Sequence, residues 1–236
     1  MKRTRVMVTA AVPEELGLIR DCLADGKTEI IGQSKVNRGS YSGYDLFLCV
    51  GGVGSVSMAT TLTVFILTIS PDYVMLIGSA GGFSQAGTKV LDVAIATEEI
   101  AAQLGVEGWP KGAIEPLNLA ANQIELDQKL AGRAVAALKT SSMRVDVRSG
   151  PFVTVSTVTA SRDTAENYYF THRAIAENME GFGAAYSCKF FGVPFLELRV
   201  VSNEVGDRNR ARWQLDKACQ RVQEVALSLL RSEVFR

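Results

Sequence analysis

The sequence predicts an α/β fold, a three-layer α/β/α arrangement around a central twisted mixed sheet, organised as a single domain over residues 1–236. Three observations lead there. Apolar, β-branched runs such as VMVTA and DLFLCV alternate with helix-like segments along the chain, the order of a largely parallel sheet. A chain of 236 residues suits one α/β unit, and it can bury roughly 70% or more of its unfolded surface without staples. No internal repeat, low-complexity tract or linker divides it.

The apolar runs place strands near Val6–Ala10, Asp45–Val50, Tyr73–Gly78, Val90–Thr97, Phe152–Thr159 and Phe195–Ser202. The first helix is expected over Glu14–Leu23, with Pro13 at its start and two acids in its first turn. Further helices are expected over Ser55–Ile69, Leu126–Leu138, Gly181–Phe191 and Arg212–Leu230. In the last, Leu215, Ala218, Val222, Val225 and Leu229 recur at three- and four-residue steps, which buries one face against the sheet. Leu104 to Leu119 holds Trp109, two prolines and three glycines, and reads as an irregular excursion, a lid or an oligomer contact.

Composition narrows the function classes. Lys plus Arg equals Asp plus Glu, 25 against 25, so no global field draws the chain to nucleic acid or an anionic membrane. The basic cluster RNRAR, Arg208 to Arg212, reads mainly as a solvated helix start. Cys22, Cys49, Cys188 and Cys219 lack metal-like spacing and sit in apolar contexts, as reduced core thiols of a cytoplasmic protein would. The single histidine, His172, excludes a multi-histidine metal site, and its polar helix-like context denies Ser and Cys the partner of the usual triad; no metal or organic cofactor is expected. The basic-then-apolar N-terminus is too short in its apolar run for a signal peptide and reads as the first strand. TLTVFILTI, ending at Pro71, is too short to span a bilayer.

Two glycine-rich segments follow strands. CVGGVGSVSMATT has Ser57 where a dinucleotide fingerprint needs its third glycine, so a nicotinamide site is disfavoured. LIGSAGGF offers Ser79 and Gly81 on tight backbone that a flat ligand can approach. Glu15 in AVPEELG is either a first-turn acid or a catalytic one. Glu180 in AENMEGFGAAYSC enters an apolar helix, which is costly unless it is paired or bound to ligand. Asn203 ends the run FLELRVVSN as either a turn former or a ligand-reading amide.

AVPEELG, GGVGSVSMATT, GSAGGF, ENMEG and the strand–SN–loop together resemble, in order and over nearly the whole chain, the nucleoside phosphorylase/nucleosidase superfamily. Within it, ENMEGFGAAYSCKFFGVPFLELRVVSNEVGDRNRARW is most similar to the futalosine hydrolases of menaquinone biosynthesis, which release hypoxanthine from futalosine. Methylthioadenosine/S-adenosylhomocysteine nucleosidases and nucleoside phosphorylases are the alternatives, as is a nonhydrolytic nucleoside-binding protein on the same fold. The resemblance implies Glu15 as the base that activates water, with Ser79 orienting it. It implies Glu180 on the ribose hydroxyls and Met179 on the sugar face, with Arg199 orienting rather than touching substrate. The family's phosphorylases carry arginines in the early glycine-rich loop and before the central glycine motif. This chain has Glu15 and MLIG there, which favours hydrolysis. Adenine-specific members place Asp where this chain has Asn203. An amide NH₂ donates to a 6-oxo group, and its oxygen accepts from protonated N7, which points to a 6-oxopurine. Asp207 or water remains as proton source, and Arg162 or Arg208 as partner for a carboxylated 5′ tail. Phe182 and Tyr168 are either aromatic stacking partners or core residues. A homodimer is expected from the resemblance.

Overall fold

The computed structural model describes residues 3–108, 114–116 and 121–236. Its central sheet runs β11-β10-β6-β12-β5-β1-β4-β3-β2, with β9 (Gln123–Glu125) beside β6. The strands nearest the middle are β1 (Arg5–Ala10), β4 (Tyr44–Val50), β5 (Tyr73–Gly82), β6 (Val93–Ala101) and β12 (Phe195–Glu204). β1 pairs in parallel with both β4 and β5, and β5 in parallel with β12, whereas β12 and β6 are antiparallel, so the sheet is mixed as expected. The strand β11 (Ala176–Asn178) pairs with β10 (Val147–Thr154) and also folds back onto β5. Five strands therefore close on themselves at one end of an otherwise open sheet.

Side-chain alternation explains the layers. Val6, Val8 and Ala10 of β1 face one apolar core and Met7 faces the other, the period of two that a strand imposes. The first core is covered by α1 (Gly17–Asp21), α3 (Gln128–Thr140) and α6 (Leu215–Arg231); the second by α2 (Ser55–Ile69) and α5 (Gly181–Phe191). A third cluster, with Phe83, Val153, Ala165 and Tyr168, packs α4 (Arg162–His172) against the closed end.

Several elements depart from expectation, each for a local reason. The helix expected over Glu14–Leu23 is a 3₁₀ turn, Pro13–Glu15, followed by the five-residue α1. The hairpin β2 (Ala24–Ile31) and β3 (Ser34–Tyr41) has no counterpart in the expected strand list, because β2 is almost wholly exposed and carries no apolar alternation. The strand expected at Phe152–Thr159 is β10, which starts at Val147 and takes Pro151 at a register shift after Gly150. A bulge is one of the few places where a sheet tolerates a residue with no N–H. β6 begins at Val93 rather than Val90, after Leu91 turns the chain at φ +70°. Arg162 opens α4, a helix absent from the expected set, whose first turn is capped by Ser161. Cys49 and Cys188 are buried and all four cysteines are free, but Cys22 is exposed rather than a core thiol. Half of the Leu104–Leu119 excursion, Trp109 included, lies outside the described residues; within it Gly105–Glu107 (β7) pairs with Ile114–Pro116 (β8). Among the described residues no helix is long and apolar enough to cross a membrane.

Candidate active site

The carboxyl ends of β1, β5 and β12 open onto one cavity of about 270 Å³, the place where open α/β sheets bind ligands. Its lining includes Glu15, Ser79, Gly81, Met179, Glu180, Arg199 and Asn203, so these seven residues converge on one cavity.

Glu15 ends the 3₁₀ turn that Pro13 starts. Its Oε1 accepts the Ser79 backbone N–H at 3.0 Å, so Ser79 orients Glu15 through its main chain. Oε2 is buried without a hydrogen-bond partner among the described residues. Burial raises the Glu15 pKa above the ordinary carboxylate range, while the Arg199 charge and the Ser79 N–H pull against it. The approach depends on Gly78, where a Cβ would lie 2.6 Å from Arg199 Nη1 and 3.1 Å from Glu15 Oε1.

Glu180 stands just before α5. Its Oε1 accepts the Gly54 N–H at 3.0 Å, and its Oε2 accepts from both Arg199 Nη atoms at 3.3 Å. Gly54 turns into α2 at φ +87°, a conformation that L side chains rarely adopt. Arg199 is only 2% exposed and also donates through Nε to Glu197 Oε1 at 2.9 Å and through Nη1 to the Ser79 carbonyl at 3.3 Å. Burial alone would lower its pKa, but the charges of Glu197, Glu180 and Glu15 outweigh it and hold the guanidinium ionised.

Behind this layer Glu197 meets Glu99, both wholly buried. Thr154 Oγ donates to Glu99 Oε2 at 2.6 Å and Asn178 Nδ2 to Glu99 Oε1 at 2.7 Å. Burial raises the pKa of both acids; the Glu197 charge raises Glu99 further, whereas Arg199 draws Glu197 down. The nearby guanidinium thus favours the charged form of Glu197, the acid that faces Arg199. Removing Arg199 would strand buried carboxylates, a loss of about 3–5 kcal/mol for a broken buried pair.

At the other end of the cavity stands Asn203, offset by a register shift between Val201 and Asn203 that re-aims the strand end. Its Oδ1 accepts from Ser202 Oγ at 2.8 Å and its Nδ2 donates to the Glu204 carbonyl at 3.0 Å, leaving one N–H and a lone pair for a ligand.

The cavity also holds residues that were not singled out from the sequence: Glu177, Asn178, Trp213 and Cys219. Glu197 stands out as a charged residue inside the apolar run FLELRVVS, though that run does not say what it faces, whereas AEN around Glu177 offers no such contrast. Other candidates fall elsewhere. Asp207 accepts from the Asn209 N–H at 2.8 Å and Arg212 at 3.4 Å, and does not line the cavity. Arg208 stacks 5.2 Å from the Trp213 ring centroid, and Tyr168 is buried in the third cluster. Phe182 packs against the core beneath α2 and α5. Among the described residues no group of three or more His, Cys, Asp or Glu side chains is placed to hold a metal ion.

Residues 5–231 match the model of the Phosphorylase superfamily. A 5′-methylthioadenosine/S-adenosylhomocysteine nucleosidase from Bacillus cereus is 28% identical over 233 residues, covering 91% of this chain and 93% of that protein. Among solved structures, the nucleosidase of that name from Helicobacter pylori, bound to butyl-thio-DADMe-Immucillin-A, superposes with a TM-score of 0.87 at 20% identity over 98% of this chain and 99% of the other. The Colwellia psychrerythraea nucleosidase in complex with adenine gives 0.85 at 21% identity, covering 97% and 95%.

Proposed function

The chain belongs to the phosphorylase superfamily, and on that premise we propose that it is a nucleosidase that hydrolyses the N-glycosidic bond of a purine nucleoside. The observation that carries the reading is the charge pattern of the cavity. Three carboxylates, Glu15, Glu177 and Glu180, line it against one guanidinium, Arg199, which is already bound by Glu180 and Glu197. Phosphorolysis needs free cationic or N–H donors for inorganic phosphate, and a cavity of this sign repels it. The same sign favours a sugar that becomes cationic as the base departs.

In this reading the unpartnered Glu15 Oε2 takes a proton from water. Glu180 binds the ribose hydroxyls with its remaining lone pairs, held by Gly54 and Arg199. Met179 covers the sugar, and Arg199 positions Glu180 without touching substrate. Residues 1–236 act as one catalytic domain.

The relatives' names favour 5′-methylthioadenosine and S-adenosylhomocysteine as substrates over the futalosine expected from the sequence. Asn203 favours a second reading of the base, a 6-oxopurine nucleoside such as futalosine, because its free N–H is available to a 6-oxo group. Incubation with 5′-methylthioadenosine, S-adenosylhomocysteine, futalosine and inosine, with and without phosphate, decides between them. Adenine release led by the first two supports the nucleosidase of that name; hypoxanthine from futalosine supports the second reading. Release that requires phosphate would remove hydrolysis altogether.

A second copy of the chain is proposed to pair through α2 and α5, where Val56, Leu67, Tyr186 and Phe190 are 82%, 64%, 55% and 74% exposed. Light scattering is expected to give a dimer, and Phe190→Glu to shift it toward monomer; a monomeric wild type would contradict the pairing.

A further inference from the structure

Glu177 adds to the negative sign of the cavity but has no contact of its own assigned above, and it is 6% exposed. Three adjacent strands place it. In the register of the sheet, Gly81 of β5 pairs with Glu177 of β11 on one side and with Asn203 of β12 on the other. Two strand spacings separate the flanking residues by roughly 10 Å, room for one ring system hydrogen-bonded on both sides. Both side chains stand on one face: a Cβ at Gly81 would lie 3.6 Å from Asn203 Nδ2 and 3.8 Å from Glu177 Cβ. The place of that missing side chain is taken by a Val205 methyl, 2.9 Å from the same point. The result is an apolar seat between an amide and a carboxylate.

The carboxylate is fixed but not exhausted. Thr159 N–H donates to Glu177 Oε1 at 3.1 Å, and Thr159 Oγ makes a short contact to Oε2. An ionised carboxylate has about four acceptor positions, so two remain. A buried carboxylate facing a cavity with lone pairs to spare is an acceptor waiting for a donor.

We propose that Glu177 is a second specificity-determining residue: with Asn203 it reads the leaving base, its carboxylate accepting the ring N1–H of a 6-oxopurine. A 6-aminopurine has a bare N1 at that edge and would set lone pair against lone pair. Burial raises the Glu177 pKa, opposed by the two Thr159 donors and by Arg208; a bound N1–H adds a third donor that favours the ionised form. The inference rests on the nucleosidase reading and deepens its second version, since amide and carboxylate then select the same base.

The test compares substrates that differ only in the base: inosine with adenosine, and 5′-methylthioinosine with 5′-methylthioadenosine. In Glu177→Gln the oxo-to-amino ratio of kcat/KM is expected to fall about tenfold or more, the scale of a mispaired buried polar group. A residue that only anchors the Thr159 loop would lower both members of each pair in parallel, and an unchanged ratio would overturn the inference. A probe of the wild type guards against a variant that fails to fold. Methylating N1 of the inosine substrates should cost a similar factor, and equal turnover would overturn the inference as well. Failure of the underlying reading is distinct, because the wild type would then release no base from any of these nucleosides.

Discussion

The two ends of the cavity are built on opposite principles. At the end proposed to hold the sugar, charges are packed densely: Glu15, Glu180, Glu197 and Arg199 are all buried, Arg199 binds Glu180 and Glu197, and the buried Glu99 stands behind them. At the end proposed to hold the base, Asn203 and Glu177 flank Gly81 and are held by local partners, Ser202, Glu204 and Thr159. The first arrangement supplies a fixed field, which stabilises a developing cation at no reorganisation cost. The second supplies a pattern of donors and acceptors, which discriminates between ligands of nearly equal shape. Changes at the sugar end should therefore act on rate and stability, and changes at the base end on preference.

The largest effect is expected from Glu15→Gln. Turnover should fall by about 10²–10⁴, the usual contribution of a general base, with ligand binding retained in calorimetry. The same variant should melt at a higher temperature than the wild type at neutral pH. Because the folded state raises the Glu15 pKa, it holds the proton more tightly than the unfolded chain. Stability from this group is full below the ordinary carboxylate range and is lost as pH rises through the folded value; glutamine escapes that loss. By the same shift, the acid limb of the kcat/KM profile should lie above the ordinary carboxylate range, since the base acts only when ionised. A limb at or below that range would take Glu15 out of this role.

Arg199→Met comes next, with a loss of about 3–5 kcal/mol in denaturant unfolding as Glu180 and Glu197 lose their shared counter-charge. A loss under about 1 kcal/mol would mean that the sugar end is not the coupled unit described here. Asn203→Asp, at the base end, should slow 6-oxopurine release roughly tenfold, the effect of one mispaired polar group, with no comparable loss of melting temperature. Smallest of all is Thr28→Ala on the exposed hairpin, where the hydroxyl only meets Asn37 Oδ1 at 2.9 Å. There the unfolding free energy should move by less than about 0.5 kcal/mol, with turnover unaltered.

The same contrast governs what the sequence made legible. Central strands carry apolar runs because both faces are buried, and β1, β4, β5 and β12 were readable for that reason. The β2–β3 hairpin and the polar helix α4 escape such a reading, because their burial is slight and periodicity has nothing to register. Residues at the site announced themselves by type in context, as Glu180 and Asn203 did. Glu99, Glu177 and Glu197 join it through pairings between strands distant in the chain, β11 with β5 and β12 with β6, which no local pattern specifies. The closed end of the sheet that brings Glu177 beside Asn203 belongs to that class of information.

The central claim is that water attacks the sugar and that Glu15 activates it. Reaction of a purine nucleoside in ¹⁸O-labelled water containing unlabelled phosphate, followed by mass spectrometry of the released sugar, tests it most directly. The account predicts one ¹⁸O at the anomeric hydroxyl, no sugar 1-phosphate, and labelled sugar formed about 10²–10⁴ times more slowly by Glu15→Gln. Sugar 1-phosphate without label, or labelled sugar formed at full rate by Glu15→Gln, would contradict it.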